Sequence, residues 1–140
     1  QGYSNVHWDQ ALNKGRMIAG LATDDVHRVN GINLGWIMLK TKSLNKANIM
    51  EAIATGCFYA SCGPVIEDWR IENGVAKIKC SAVKEICFRY QGAAGGRRFK
   101  AAEDETLTNA ELKCKPGWIR AEVVDEKGNY AWTNPIVVTV

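Results

Sequence analysis

Apolar positions in the first sixty residues fall at helical spacing or in short unbroken runs, and from about residue 65 they fall in runs of strand length. Trp8 and Leu12, one turn apart, predict a helix over residues 6–13, capped by Ser4 or Asn5 and ended near Gly15. Residues 16–23 follow with Met17, Ile18, Ala19, Leu21 and Ala22 nearly continuous. A run apolar on both faces predicts a strand buried on both sides, as in a parallel sheet covered by helices. Residues 28–35, with Asn30, Gly31, Asn33 and Gly35, read as a loop. Residues 36–40 predict a short strand. A second helix starts after Ser43 or Asn45, turns Ile49, Met50 and Ile53 to one face, and closes at Gly56.

The second half predicts strands over residues 65–72, 75–83, 86–91, 118–125 and 130–140. Asn73-Gly74 is a hairpin turn, because both residues tolerate positive φ. Residues 125–129 form a second turn. Residues 118–124 alternate imperfectly, as a strand with one wet face does. Residues 106–112 are either one helical turn or an irregular strand. Gly63-Pro64 divides the chain, with 64–140 expected as a small antiparallel β-sandwich.

Composition narrows the classes. The 140 residues are 46% hydrophobic and 24% charged, enough apolar surface for a folded core. The longest apolar runs fall far short of the roughly 20 residues a membrane-spanning helix needs. Eighteen Lys and Arg against fifteen Asp and Glu give +3, too weak a balance to argue for nucleic acid or an anionic membrane. Five cysteines and no visible signal peptide set a reduced, cytoplasmic compartment as the expectation. The chain does not begin with Met, and an internal starting point is expected at Gln1.

The candidate chemistry centres on Asp25-x-His27, directly after the apolar run. In α/β folds, ligands bind at the carboxyl ends of parallel strands. A carboxylate and an imidazole there are good ligands for a divalent metal, and Asp24 is placed to orient them. On spacing alone, the simpler reading is a capped turn with a surface histidine. His7 reads as a surface residue of the first helix. Cys57 and Cys62 read as structural thiols, and Ser61 has no base nearby in sequence. The glycine-rich residues 92–96 open no helix, so they make no phosphate cradle. Arg97, Arg98 and Lys100 around Phe99 read as a solvated loop. The five tryptophans read as core and interface residues, with a carbohydrate platform as the other possibility.

Several stretches together resemble a known family. His7-Trp8-Asp9 through Gly15, then residues 18–27 ending Asp24-Asp25-Val26-His27, resemble the carboxyl-terminal section of PHP-domain (polymerase and histidinol phosphatase) proteins of the CehA/McbA-like branch. Gly35-Trp36 with the helix ending Ala54-Thr55-Gly56, Phe58-Tyr59-Ala60-Ser61-Cys62-Gly63-Pro64, and Ala131-Trp132-Thr133-Asn134-Pro135 are similar to further segments of that family, in order. The resemblance covers most of the chain and is weakest over residues 75–115.

The resemblance implies an α+β chain. Residues 1–63 would be the carboxyl-terminal remnant of a (β/α)7 barrel, and 64–140 a β-sandwich. It implies a metal-dependent phosphoesterase that hydrolyses phosphate esters with metal-activated water, using zinc, manganese or iron. Asp25 and His27 carry over as two metal ligands. The family's remaining ligands, including an H-x-H, have no counterpart among the two histidines of this chain. The chain is therefore expected to be an inactive fragment of the enzyme, partnered by the rest of the barrel or by a second copy of itself. The competing reading is a non-catalytic β-sandwich binding or interaction module.

Overall fold

Period-two patterning dominates the computed structural model, which describes residues 3–139. Gln1 and Gly2, at the expected starting point, and Val140, at the expected end of the last strand, lie outside the described residues. In chain order the elements are α1 (Asn5–Asn13), β1 (Trp36–Leu39), α2 (Lys46–Ala54), β2 (Phe58–Ser61), β3 (Ile66–Glu72), β4 (Val75–Val83), β5 (Glu85–Tyr90), β6 (Arg97–Lys100), β7 (Leu107–Lys113), β8 (Gly117–Val124), β9 (Tyr130–Thr133) and β10 (Ile136–Val138). A short 3-10 turn covers Val29–Gly31.

Two antiparallel sheets pack face to face. The larger runs β1-β2-β9-β8-β5-β6, with β10 pairing the start of β8, and the smaller runs β3-β4-β7. Ile86 and Phe88 of β5, with Ile119, Ala121 and Val123 of β8, face Ile66 of β3, Ala76, Ile78 and Cys80 of β4, and Ala110 of β7. Between β4 and β5 only Lys84 intervenes, so the chain steps there from one sheet to the other. The β3–β4 hairpin turns at Asn73 (φ 51°) and Gly74 (φ 73°), as the dipeptide predicts. Asn45 caps α2 by accepting the Asn48 amide at 2.9 Å.

No barrel remnant is present among the described residues, which corrects the expected fold class. Residues 16–23 pair with no strand among the described residues, and Met17, Ile18 and Leu21 are exposed rather than buried. Nor does α2 carry a parallel crossover. β1 and β2 pair antiparallel, and the Lys40 amide donates to the Cys57 carbonyl at 2.9 Å, so α2 sits within the loop of a long hairpin. β2 then pairs with β9, so one sheet contains strands from both sides of Gly63-Pro64.

Three smaller expectations also change. The expected apolar face of α2 is not its buried one: Ala52 is buried, whereas Met50 and Ile53 are exposed. The basic stretch 97–100 is a strand instead of a loop, whereas residues 107–113 take the strand of the two alternatives offered for them. β8 has no wet face, since everything from Trp118 to Val123 is buried.

Cysteine chemistry follows from the packing. All five thiols are free, with Cys57 exposed and Cys80 and Cys87 buried. Burial, aided by the Glu67 carboxylate, pushes the Cys80 thiol from 9.0 up to about 11. Cys57 is therefore expected to react first with a thiol reagent and Cys80 only after unfolding, as mass spectrometry of partly labelled protein would show. Folding favours the protonated Cys80 thiol. Its contribution to stability is complete below 9.0 and is lost as pH rises towards about 11.

Candidate functional site

Helix α1 lies on the outer face of the larger sheet and fixes the start of the chain. It presents Asn5, Asp9 and Asn13, four residues apart, with Leu12 three residues beyond Asp9. Leu12 is buried there. Asn13 accepts the Trp118 indole N–H at 3.1 Å, and Asn5 donates to Glu122 Oε2 at 3.2 Å.

Asp9 meets two arginines. Arg120 donates to Asp9 Oδ1 from Nε at 2.9 Å and from Nη2 at 2.7 Å, and Arg89 Nε donates to Asp9 Oδ2 at 3.1 Å. Glu122 Oε1 lies 3.0 Å from Arg89 Nε and 3.1 Å from Arg120 Nη2, outside hydrogen-bond angles but within ion-pair range. Trp8 covers the Arg120 guanidinium at 4.3 Å. Two carboxylates and two guanidiniums thus balance under the helix, with Arg120 fully buried. The sequence reading missed this network. Its signal was the alternation of Arg120 and Glu122 with apolar Ile119, Ala121 and Val123, which imitates a solvent-facing side.

Beyond α1 the chain runs without regular secondary structure. The Trp8 indole donates to the Ile18 carbonyl at 2.9 Å, and the Gly20 amide donates to Asn134 Oδ1 at 2.9 Å. Gly20 is required here because a Cβ would lie 2.5 Å from the Trp8 ring. This segment, α1 and the sheet enclose a groove of about 570 Å³, whose walls include Trp8, Leu21, Ala60, Cys62 and Trp132. Burial and then the Asp24 carboxylate push the Cys62 thiol above its usual value, which disfavours its thiolate.

Asp25 and His27 stand at the end of this apolar segment. Asp25 has φ 50°, and both side chains are largely exposed. His27 Nδ1 is 3.9 Å from Asp25 Oδ1 and donates to the Asp25 carbonyl at 2.7 Å. That bond uses the Nδ1 proton and leaves the Nε2 lone pair free for a ligand. Among the described residues, no group of three or more His, Cys, Asp or Glu is placed to hold a metal ion. The corner thus offers two donors, and these alone do not fit a metal site.

Asp24 does something other than orient these two side chains directly. Its carboxylate accepts the amides of Asn33 at 2.7 Å, Leu34 at 2.6 Å and Gly35 at 2.7 Å. The Gly35 amide foremost, then that of Asn33, holds the carboxyl below its usual range. Asp24 therefore ties the loop before β1 to the Asp25 corner. Asp24→Ala is expected to speed amide exchange at Leu34 and Gly35 by about tenfold or more. Unchanged exchange measured by NMR would contradict that role.

No family model, curated protein or solved structure matches this chain. The other sequence candidates separate in space. His7 is exposed on α1 at the groove. Ser61 is buried, donates to the Pro64 carbonyl at 2.7 Å and accepts the Gly63 amide at 2.9 Å, which is a turn role. Residues 92–96 link β5 to β6. Arg98 and Lys100 pair with Glu85, and Arg97 lies over Phe99. Trp118 and Trp132 are buried, Trp36 and Trp69 half-buried, and Trp8 covers Arg120. Among the described residues no helix is long and apolar enough to cross a membrane.

Proposed function

We propose that this chain is the carboxyl-terminal part of a PHP-type metal-dependent phosphoesterase, with Asp25 and His27 as two of the enzyme's metal ligands. The observation that carries the reading is the corner. An exposed carboxylate and imidazole stand 3.9 Å apart at the end of an apolar segment that has no strand neighbours among the described residues. A catalytic zinc takes about three protein ligands, and this chain supplies two at that position. The remaining donors then belong to residues outside this sequence, and the chain alone is inactive. Carboxylate and imidazole together suit zinc, manganese or iron, and the substrate class is a phosphate ester.

The test uses the longer reading frame expressed with its upstream residues. That protein is expected to hydrolyse p-nitrophenyl phosphate or its diester with divalent metal present. Asp25→Ala and His27→Ala are each expected to lower kcat/KM by about 100-fold or more. Full activity in both variants would overturn the reading. It would favour instead a non-catalytic β-sandwich interaction module, a reading supported by the closure of the two-sheet core without the corner.

A further inference from the structure

Two sets of hydrogen-bond donors at the groove beside α1 are left without acceptors. The first is a buried side chain. Trp132 forms part of the groove wall and is 5% exposed, and its indole N–H meets no acceptor among the described residues. Its cross-strand neighbour Glu122 is already engaged by Asn5, Arg89 and Arg120. A buried donor in this state is a group that a bound molecule can satisfy. The second set is the start of α1, where Ser4, Asn5 and His7 border the same groove. This helix of nine residues has no side-chain cap from Ser4 and no acidic residue in its first turn. The amides of Asn5, Val6 and His7 donate to no group among the described residues. Such a helix start carries partial positive charge and attracts an anion.

We infer that the groove binds a small carboxylic acid, as its carboxylate, through the first-turn amides of α1 and the Trp132 indole N–H. The rest of the wall selects that class. Among the described residues no lysine or arginine lines the groove, so a doubly charged phosphate would lack countercharge there. Two carboxylates also border it, but Asp24 is held by three amides and the Asp25 side chain is largely in solvent. The unmatched groups are therefore donors. Leu21, Leu34 and Ala60 offer an apolar surface to the body of the acid, and the volume of about 570 Å³ is that of a small-molecule site. In the free protein the indole N–H is covered. Tyr3, 51% exposed with its ring 5.2 Å from that of Trp132, is the cover that gives way to the ligand. The inference concerns this groove alone and stands whether or not Asp25 and His27 ligate a metal.

Titration of the chain with phenylacetate and with hexanoate, followed by heteronuclear NMR, is the experiment. At least one acid is expected to bind with a Kd of about 1 mM or tighter, with saturating shifts of the Trp132 indole and of the Val6 and His7 amides. The neutral isosteres phenylacetamide and hexanamide are expected to bind about tenfold more weakly or worse. Ser4→Asp supplies a carboxylate of the protein's own at the helix start. It is expected to raise the urea midpoint and to weaken binding by about tenfold. Trp132→Phe removes the N–H but keeps an aromatic ring, and a similar loss of affinity is expected. Ser4 is exposed, so the Ser4→Asp result stands even if Trp132→Phe fails to fold. No saturating shift with either acid would overturn the inference. So would equal binding of the amides, or unchanged affinity in Ser4→Asp. Inorganic phosphate moving the same resonances as tightly would also overturn it, by assigning the groove to phosphate.

Discussion

Arg120→Ala is expected to destabilise the protein by about 3–5 kcal/mol. Arg120 is fully buried beneath α1, and its guanidinium serves Asp9, Glu122 and the Trp8 ring together. Its removal leaves two carboxylates against Arg89 alone, with an uncompensated charge in a largely buried space. The cost is that of the stranded charge and not the net worth of the ion pairs. For the same reason, replacing Arg120, Asp9 and Glu122 together with apolar residues of similar volume is expected to cost far less than Arg120→Ala. Urea unfolding followed by tryptophan fluorescence measures both. A loss below about 1 kcal/mol for Arg120→Ala would show that α1 is held by something else.

Phe88→Ala carries an expected loss of similar size, about 3–5 kcal/mol. Phe88 is fully buried where the two sheets meet. Trp69 of the smaller sheet lies 6.1 Å from its ring centre, and Phe99 of β6 meets it edge-on at 5.9 Å. Truncation removes the aromatic contacts and leaves a cavity that neighbouring strands, fixed by their ladders, cannot close. Phe88→Leu keeps most of the volume and is expected to cost about 1.5 kcal/mol or less. If the two variants unfold at the same urea concentration, Phe88 does not bridge the sheets.

Local chemistry was legible in the sequence where a residue acts on its immediate neighbours. Val75–Val83 was bounded correctly because Asn73-Gly74 fixes one end and its alternation matches one buried face. Asn45 as a cap, and Gly15 and Gly56 beyond the helix ends, were also readable. Distant pairings were not. The strand over 36–40 and the helix after it read as part of a barrel remnant, but the helix belongs to a hairpin loop closed by Lys40 and Cys57. Arg97–Lys100 carries too much charge to read as a strand, yet it is the exposed edge beside β5, where charge is tolerated. Arg120 and Glu122 looked solvated because their cover, Asp9, is more than 100 residues away in sequence.

The candidate site divides the same way. That Asp25 and His27 stand together followed from two-residue spacing, and their side chains are adjacent. Asp24, read as a partner of that pair, instead binds three amides nine to eleven residues onward. Residues 16–23 read as a doubly buried strand because apolar runs are usually covered. The described chain supplies no strand to cover them.

The proposed function rests on the Asp25–His27 corner being part of a metal site completed by residues beyond this sequence. Metal content by inductively coupled plasma mass spectrometry is its most direct test, performed on the 140-residue chain, on the longer protein and on its Asp25→Ala, His27→Ala double variant. The expected result is no retained metal in the chain, stoichiometric zinc, manganese or iron in the longer protein, and loss of metal in the double variant. Full metal occupancy in that double variant would contradict it.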